Sequence, residues 1–150
     1  MLTSVPTPST PAIVLDTNIV LDWLVFKDPS AHALAAAIVR KQVRWVATAA
    51  MCGELVDVLQ RGLAAARGAD IFEVLSTWDA CVEPCAEPPV PPVTTGLRCT
   101  DADDQKFLDL ALATHARWLL SRDRAVLRLA RRAALRGTTI AAPEAWVLAA

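Results

Sequence analysis

The feature that most constrains this chain is a run of four apolar residues, Ala12-Ile13-Val14-Leu15, that stops at an acid, Asp16. An unbroken apolar run of that length has no solvent face. It suits a strand covered on both sides, as in a parallel sheet. Thr17 to Phe26 follows with Ile19, Val20, Trp23 and Leu24 at helical spacing. The same exchange recurs along the chain. Ser30 reads as the cap of a helix reaching about Gln42. Val43–Ala47 reads as a strand, and Thr48 as the cap of a helix reaching about Leu63. Helices are predicted over 69–79, 101–115 and 124–136, strands over 117–120 and 138–141, and a helical turn from Pro143. Strands alternating with helices predict an α/β fold: a three-layer α/β/α sandwich with a mostly parallel central sheet.

A chain of 150 residues suits one core. Residues 1–11, rich in Pro, Ser and Thr, read as a flexible arm, and 12–150 as a single domain. At 54% hydrophobic and 21% charged, general disorder is excluded. The proline-rich run Glu83 to Val93 reads as a loop or an irregular sheet edge. The four cysteines form no CxxC pair, which fits half-buried thiols in a reducing compartment. No stretch reaches the roughly 18 apolar residues of a membrane span, and the N-terminus lacks a secretory pattern. A cytoplasmic location is expected.

Four acids stand where an acid is costly. Asp16 ends the first strand, and Asp123 follows the strand containing Trp118-Leu119-Leu120. Glu54 borders the apolar stripe Met51, Leu55, Val58 and Leu59. Asp104 precedes Phe107, Leu108 and Ala111 on their helical face. Each has a plain reading on its own. Asp16 and Asp123 can cap helices, Asp104 can complement a helix dipole, and Glu54 can snorkel from an edge. Asp57, four residues before Arg61, suits an exposed ion pair, and Asp101 suits an N-cap.

Taken together, two acids at strand C-termini and two on flanking helices converge on the end of a parallel sheet where ligands bind. Four close carboxylates repel one another and raise one another's pKa. A hard divalent cation removes that cost, and Mg²⁺ or Mn²⁺ takes carboxylate and water oxygens. No His or Cys adjoins the four, which disfavours zinc, and Asp101 to Asp104 lacks the Gly and distal Glu of a calcium loop.

These residues resemble the PIN-domain family. The matching pieces are Val14-Leu15-Asp16-Thr17-Asn18, Glu54, the block from Cys99 through Asp104 to Ala111, and Leu119-Leu120-Ser121-Arg122-Asp123. The Asp-rich block followed by Phe107-Leu108-Asp109-Leu110-Ala111 is most similar to toxin components of toxin–antitoxin pairs, the VapC-like ribonucleases. The resemblance implies a metal-dependent endoribonuclease whose acidic quartet, Asp16, Glu54, Asp104 and Asp123, holds Mg²⁺ or Mn²⁺. It implies supporting polar roles for Thr17, Asn18 and Ser121. Asp103 is the alternative to Asp104. A cognate antitoxin is the implied partner.

RNA brings negative charge to an acidic pocket. Residues 117–136 carry seven Arg against one Asp, while the rest of the chain holds eight Lys+Arg against fifteen Asp+Glu. The formal net charge of −1 thus hides two opposed fields. Arg122 and Arg124, nearest Asp123, are the candidates for substrate phosphate, against the alternative of a solvated face. His32 and His115 read as structural or surface residues, and Trp23, Trp45, Trp118 and Trp146 as core. The small apolar stretch 31–39 suits core, a homodimer contact or an antitoxin surface, and a homodimer is expected. Two rival readings remain: a non-catalytic PIN-like interaction module, and a DNA-directed nuclease with the same metal chemistry.

Overall fold

A computed structural model describes residues 10–63, 68–89 and 96–148. Its five strands are β1 (Ala12–Leu15), β2 (Arg44–Thr48), β3 (Val82–Cys85), β4 (Trp118–Leu120) and β5 (Thr139–Ala141). All pair in parallel, in the order β3-β2-β1-β4-β5. The fold is the predicted α/β sandwich. Every residue of β1 and β4 is buried, which is why both read as continuous apolar runs.

Seven helices join the strands among the described residues. They are α1 (Thr17–Leu24), α2 (His32–Val39), α3 (Ala49–Val58), α4 (Ile71–Cys81), α5 (Gln105–Ala113), α6 (Arg124–Leu127) and α7 (Ala130–Leu135). The chain runs outward from β1 through β2 to β3, then returns to place β4 on the other side of β1. Right-handed crossovers therefore put α1–α4 on one face and α5–α7 on the other. The direction reverses between β1 and β4, and the C-terminal ends of those two strands flank the crevice there. Asp16 follows β1 directly, and Ser121 follows β4.

The core is built around Trp45 and Trp118, both almost fully buried. Trp45 packs against Trp23 at 5.5 Å and Trp78 at 5.0 Å between ring centroids, and Trp118 against Trp146 at 5.4 Å. These tilted and edge-on pairs suit the quadrupoles of the rings.

Several boundaries differ from expectation, each for a local reason. Ser30 caps nothing. The cap is Asp28, which accepts from the Ser30 amide at 2.9 Å and starts a 3₁₀ turn at Pro29–Ala31, so α2 begins at His32. The helix from Thr48 stops at Val58 and passes into a wider turn over Leu59–Leu63, broken at Gly62 (φ 93°). The helix expected over 69–79 is shifted to Ile71–Cys81, because Asp70 accepts from the Phe72 amide. The stretch expected as one helix over 124–136 bends at Leu129 into α6 and α7. Of the two readings of the proline-rich run, the sheet edge holds for its start, which forms the edge strand β3. Pro84 is tolerated there because only one side of an edge strand is paired. Residues 90–93 of that run, and residues 1–9 of the expected arm, lie outside the described residues. The last residues of the arm are held: Arg44 donates from its amide to the Pro11 carbonyl and from Nε to that of Thr10, both at 2.8 Å.

Candidate metal centre and active site

Asp16 is 3% exposed, and its carboxylate is held by both neighbours of the crevice. Its amide continues the β1–β4 ladder by donating to the Leu120 carbonyl at 3.1 Å. One carboxylate oxygen accepts from the Asn18 amide at 3.2 Å, so Asp16 also caps α1. The other accepts from Ser121 Oγ at 2.8 Å. Burial pushes the Asp16 carboxyl above its ordinary value. The donors on Ser121 and Asn18 pull it down, and the charges of Glu54 and Asp123 push it up again.

Ser121 is fully buried and works in two directions. While donating to Asp16, its Oγ accepts from the Asp123 amide at 3.0 Å. The turn after β4 is thereby locked to the end of β1. Asp123 in turn caps α6, accepting from the Ala125 amide at 2.8 Å. The capping readings of Asp16 and Asp123 and their readings as site residues are therefore compatible. One carboxylate oxygen serves the helix, and the side chain still reaches the crevice.

Asp104 arrives from the opposite face. Asp101 accepts from the Asp103 amide at 3.0 Å and starts a 3₁₀ turn over Ala102–Asp104 that leads into α5. That turn points Asp104 inward, 9% exposed, and leaves Asp103 exposed. Gln105 fixes the approach to this turn, donating to the Leu97 carbonyl at 2.7 Å and accepting from the Cys99 amide at 2.6 Å. Asp104 Oδ2 is buried without a hydrogen-bond partner. Its carboxyl is pushed up to about 7, first by burial, then by the hydrogen bond its protonated form makes to Asp123, then by the charges of Asp16, Asp123 and Asp101.

Asp101, Asp104 and Asp123 each bring an oxygen within 4.8 Å of the other two. Of the expected quartet only Asp104 and Asp123 belong to this trio; the charge of Asp16 acts on Asp104, and that of Glu54 acts on Asp16. Glu54 pairs with Lys106 of α5, without the geometry of a hydrogen bond, and Lys106 also donates to the Asp103 carbonyl at 2.6 Å. Thr17 is buried with its hydroxyl unpartnered, and the Asn18 side chain is exposed. Sequence reasoning gave Asp101 as a cap and an extra acid of its block rather than a site residue, and missed Lys106. The signal for Asp101 was its place in an acidic block. Lys106 lies one helical turn from Asp103 and offered no signal of its pairing with α3.

The donors suit a hard divalent cation: every candidate ligand is a carboxylate oxygen, three converge, and one buried oxygen lacks any donor. His32 and His115 are exposed, and all four cysteines are free. Arg122 is committed inside the molecule. It donates to Asp22 at 2.8 Å and to Ser30 at 2.7 Å, and pairs with Glu144. Arg124 is exposed.

A parallel α/β domain with carboxylates gathered where its strand order reverses belongs to the class of α/β proteins with an acidic site at the strand C-termini. Within that class, a family model for the PIN domain matches residues 12–125, and the chain belongs to the PIN-domain family. PIN domains are generally metal-dependent nucleases. No curated protein and no solved structure matches the chain significantly.

Proposed function

We propose that this protein is a Mg²⁺- or Mn²⁺-dependent endoribonuclease acting as the toxin of a toxin–antitoxin pair. The observation that carries the nuclease reading is the buried, unpartnered oxygen of Asp104 beside Asp101 and Asp123. Leaving such a group unpaired costs about 1–3 kcal/mol or more, a cost that a bound cation would remove.

Asp104, Asp123 and Asp16, with Glu54, would hold the ion, and Asp101 adds a further oxygen. The ion, when bound, would activate water and neutralise charge on the phosphodiester under attack. The protein's own contribution is preorganisation. Ser121 fixes the Asp16 and Asp123 positions, and the Asp101 turn fixes Asp104. Buried Thr17 offers a hydroxyl at the mouth of α1. Arg124, exposed one residue beyond Asp123, would meet substrate phosphate. Arg122 supports the site from behind through Asp22, Ser30 and Glu144, and phosphate contact by it would require breaking those bonds.

The test is incubation of the purified chain with labelled single-stranded RNA and with DNA of the same sequence, in Mn²⁺ and in chelator. Cleavage of RNA only with the metal, leaving 5′-phosphate ends, supports the reading. Equal cleavage of DNA supports the DNA-directed alternative, and no cleavage of either supports the interaction module. Growth arrest on induced expression, relieved by co-expressing a neighbouring small gene product, tests the toxin role.

A further inference from the structure

Helices α6 and α7 bury Val126, Leu129 and Ala133 against the domain. Opposite them, at helical spacing, stand Arg124, Arg128, Arg131 and Arg132, all exposed. Turn bonds carry the chain through the bend between α6 and α7, with the Arg128 amide donating to the Arg124 carbonyl and the Leu129 amide to that of Val126, both at 3.0 Å. None of the four arginines has an ion-pair partner among the described residues. Four other cations do have acid partners: Arg44 with Glu83, Arg61 with Asp57, Lys106 with Glu54, and Arg122, the nearest arginine to Asp123 on the other side, with Asp22 and Glu144. Four adjacent guanidinium groups left without acids repel one another, a cost relieved by an anionic ligand.

We infer that this stripe is a binding track for the sugar–phosphate backbone of the substrate strand, engaging nucleotides beyond the one at the metal centre. The inference rests on the nuclease reading for its direction. The stripe starts next to Asp123, whose side chain belongs to the acidic trio, and runs away from it. From Arg124 to Arg132 it extends about 12 Å along the helices, more than one phosphate can cover. A backbone is repetitively charged, as the stripe is, and arginine forks fit phosphate oxygens in pairs. Continuity with an acidic centre favours a nucleic-acid strand over an acidic protein segment, because a strand can lie on the track with its scissile bond at the carboxylates. A substrate too short to reach the track should lose its contribution.

The test compares the native chain with the triple variant Arg128→Gln, Arg131→Gln, Arg132→Gln, which leaves the metal centre and Arg124 intact. Binding of fluorescein-labelled oligouridine of 4 and of 16 nucleotides is read by anisotropy, without divalent metal, from 50 to 300 mM KCl. The track predicts a loss of about tenfold or more in affinity for the 16-mer and little change for the 4-mer. It also predicts a log–log salt slope shallower by about 2, since each lost phosphate contact removes about 0.7 on a single strand. An unchanged slope with the 16-mer overturns the inference, as does loss of binding to an acidic peptide while RNA binding stays intact. Because binding is read without metal, the two readings separate. A track with no cleavage would sink the nuclease function and leave the track, whereas cleavage with an unchanged slope would do the reverse.

Discussion

Ser121 Oγ donates to Asp16 across 105 positions of sequence, at 2.8 Å, and accepts from the Asp123 amide at 3.0 Å. This hydroxyl ties the ends of β1 and β4 together where the sheet changes direction. Replacing it by alanine leaves a buried Asp16 oxygen and a backbone amide without their partner. Ser121→Ala should lower stability by about 1–3 kcal/mol, read by urea denaturation. It should also reduce metal affinity or activity about 10–100-fold, as loss of an outer-shell partner does. Wild-type metal affinity in a destabilised variant would confine Ser121 to folding.

The acidic centre makes the metal-free protein sensitive to pH. The Asp104 carboxyl is raised from 3.8 to about 7, chiefly by burial, and Asp16 is raised in the same direction. A carboxyl raised in the folded state binds its proton more tightly there than in the unfolded chain. Its stabilising contribution is fully present below the unfolded value and is lost as pH rises towards 7. The melting temperature without divalent metal should therefore fall between pH 4 and 7, and Asp104→Asn should flatten that fall. Mn²⁺ should reverse the trend, stabilising the protein more at pH 7.5 than at pH 5.5, since ligand carboxyls must give up their protons. Equal stabilisation by Mn²⁺ at both values would contradict this.

Lys106 sits on Glu54 and competes with a divalent ion for its charge. Lys106→Met should leave the site more negative. Calorimetric titration should then show Mn²⁺ binding up to about fivefold tighter, the size expected of a half-exposed ion pair. Weaker Mn²⁺ binding would mean that Lys106 instead holds Glu54 in the geometry the metal needs.

Trp45 bridges Trp23 and Trp78 and is 1% exposed. Trp45→Ala should cost about 3–5 kcal/mol by transfer and cavity terms, shown by loss of the cooperative thermal transition at 37 °C or a large drop in its midpoint. An unfolding midpoint within a degree of the native one would place the stabilising core elsewhere.

The strongest periodic signals in the sequence were the ones the structure bears out. Ala12–Leu15 and Trp118–Leu120 are buried on both faces, so hydrophobicity alone marks them. Asp16 and Asp123 were visible because each interrupts an apolar context at a strand end. Helix starts were harder. Ser30 and Asp28 compete for the same turn; Asp28 caps it, Ser30 lies inside it, and Ser30 Oγ instead accepts from Arg122, 92 residues away. Pro84 left strand β3 open between a loop and a sheet edge, because its tolerance depends on lying at an edge, a property of the sheet and not of the local sequence. Asp101 looked like a cap and is one, but only the folded turn shows its carboxylate beside Asp104 and Asp123. The pairing of Arg122 was likewise illegible, since Asp22 and Glu144 lie far away in sequence.

The central claim is that the buried carboxylates hold a divalent ion that enables RNA cleavage. The most direct measurement pairs Mn²⁺ calorimetry with cleavage of a labelled RNA for the native chain and for Asp104→Asn, with circular dichroism confirming the fold. The account predicts that the substitution weakens Mn²⁺ binding at least tenfold and abolishes cleavage in a folded protein. Undiminished Mn²⁺-dependent cleavage by Asp104→Asn would contradict it.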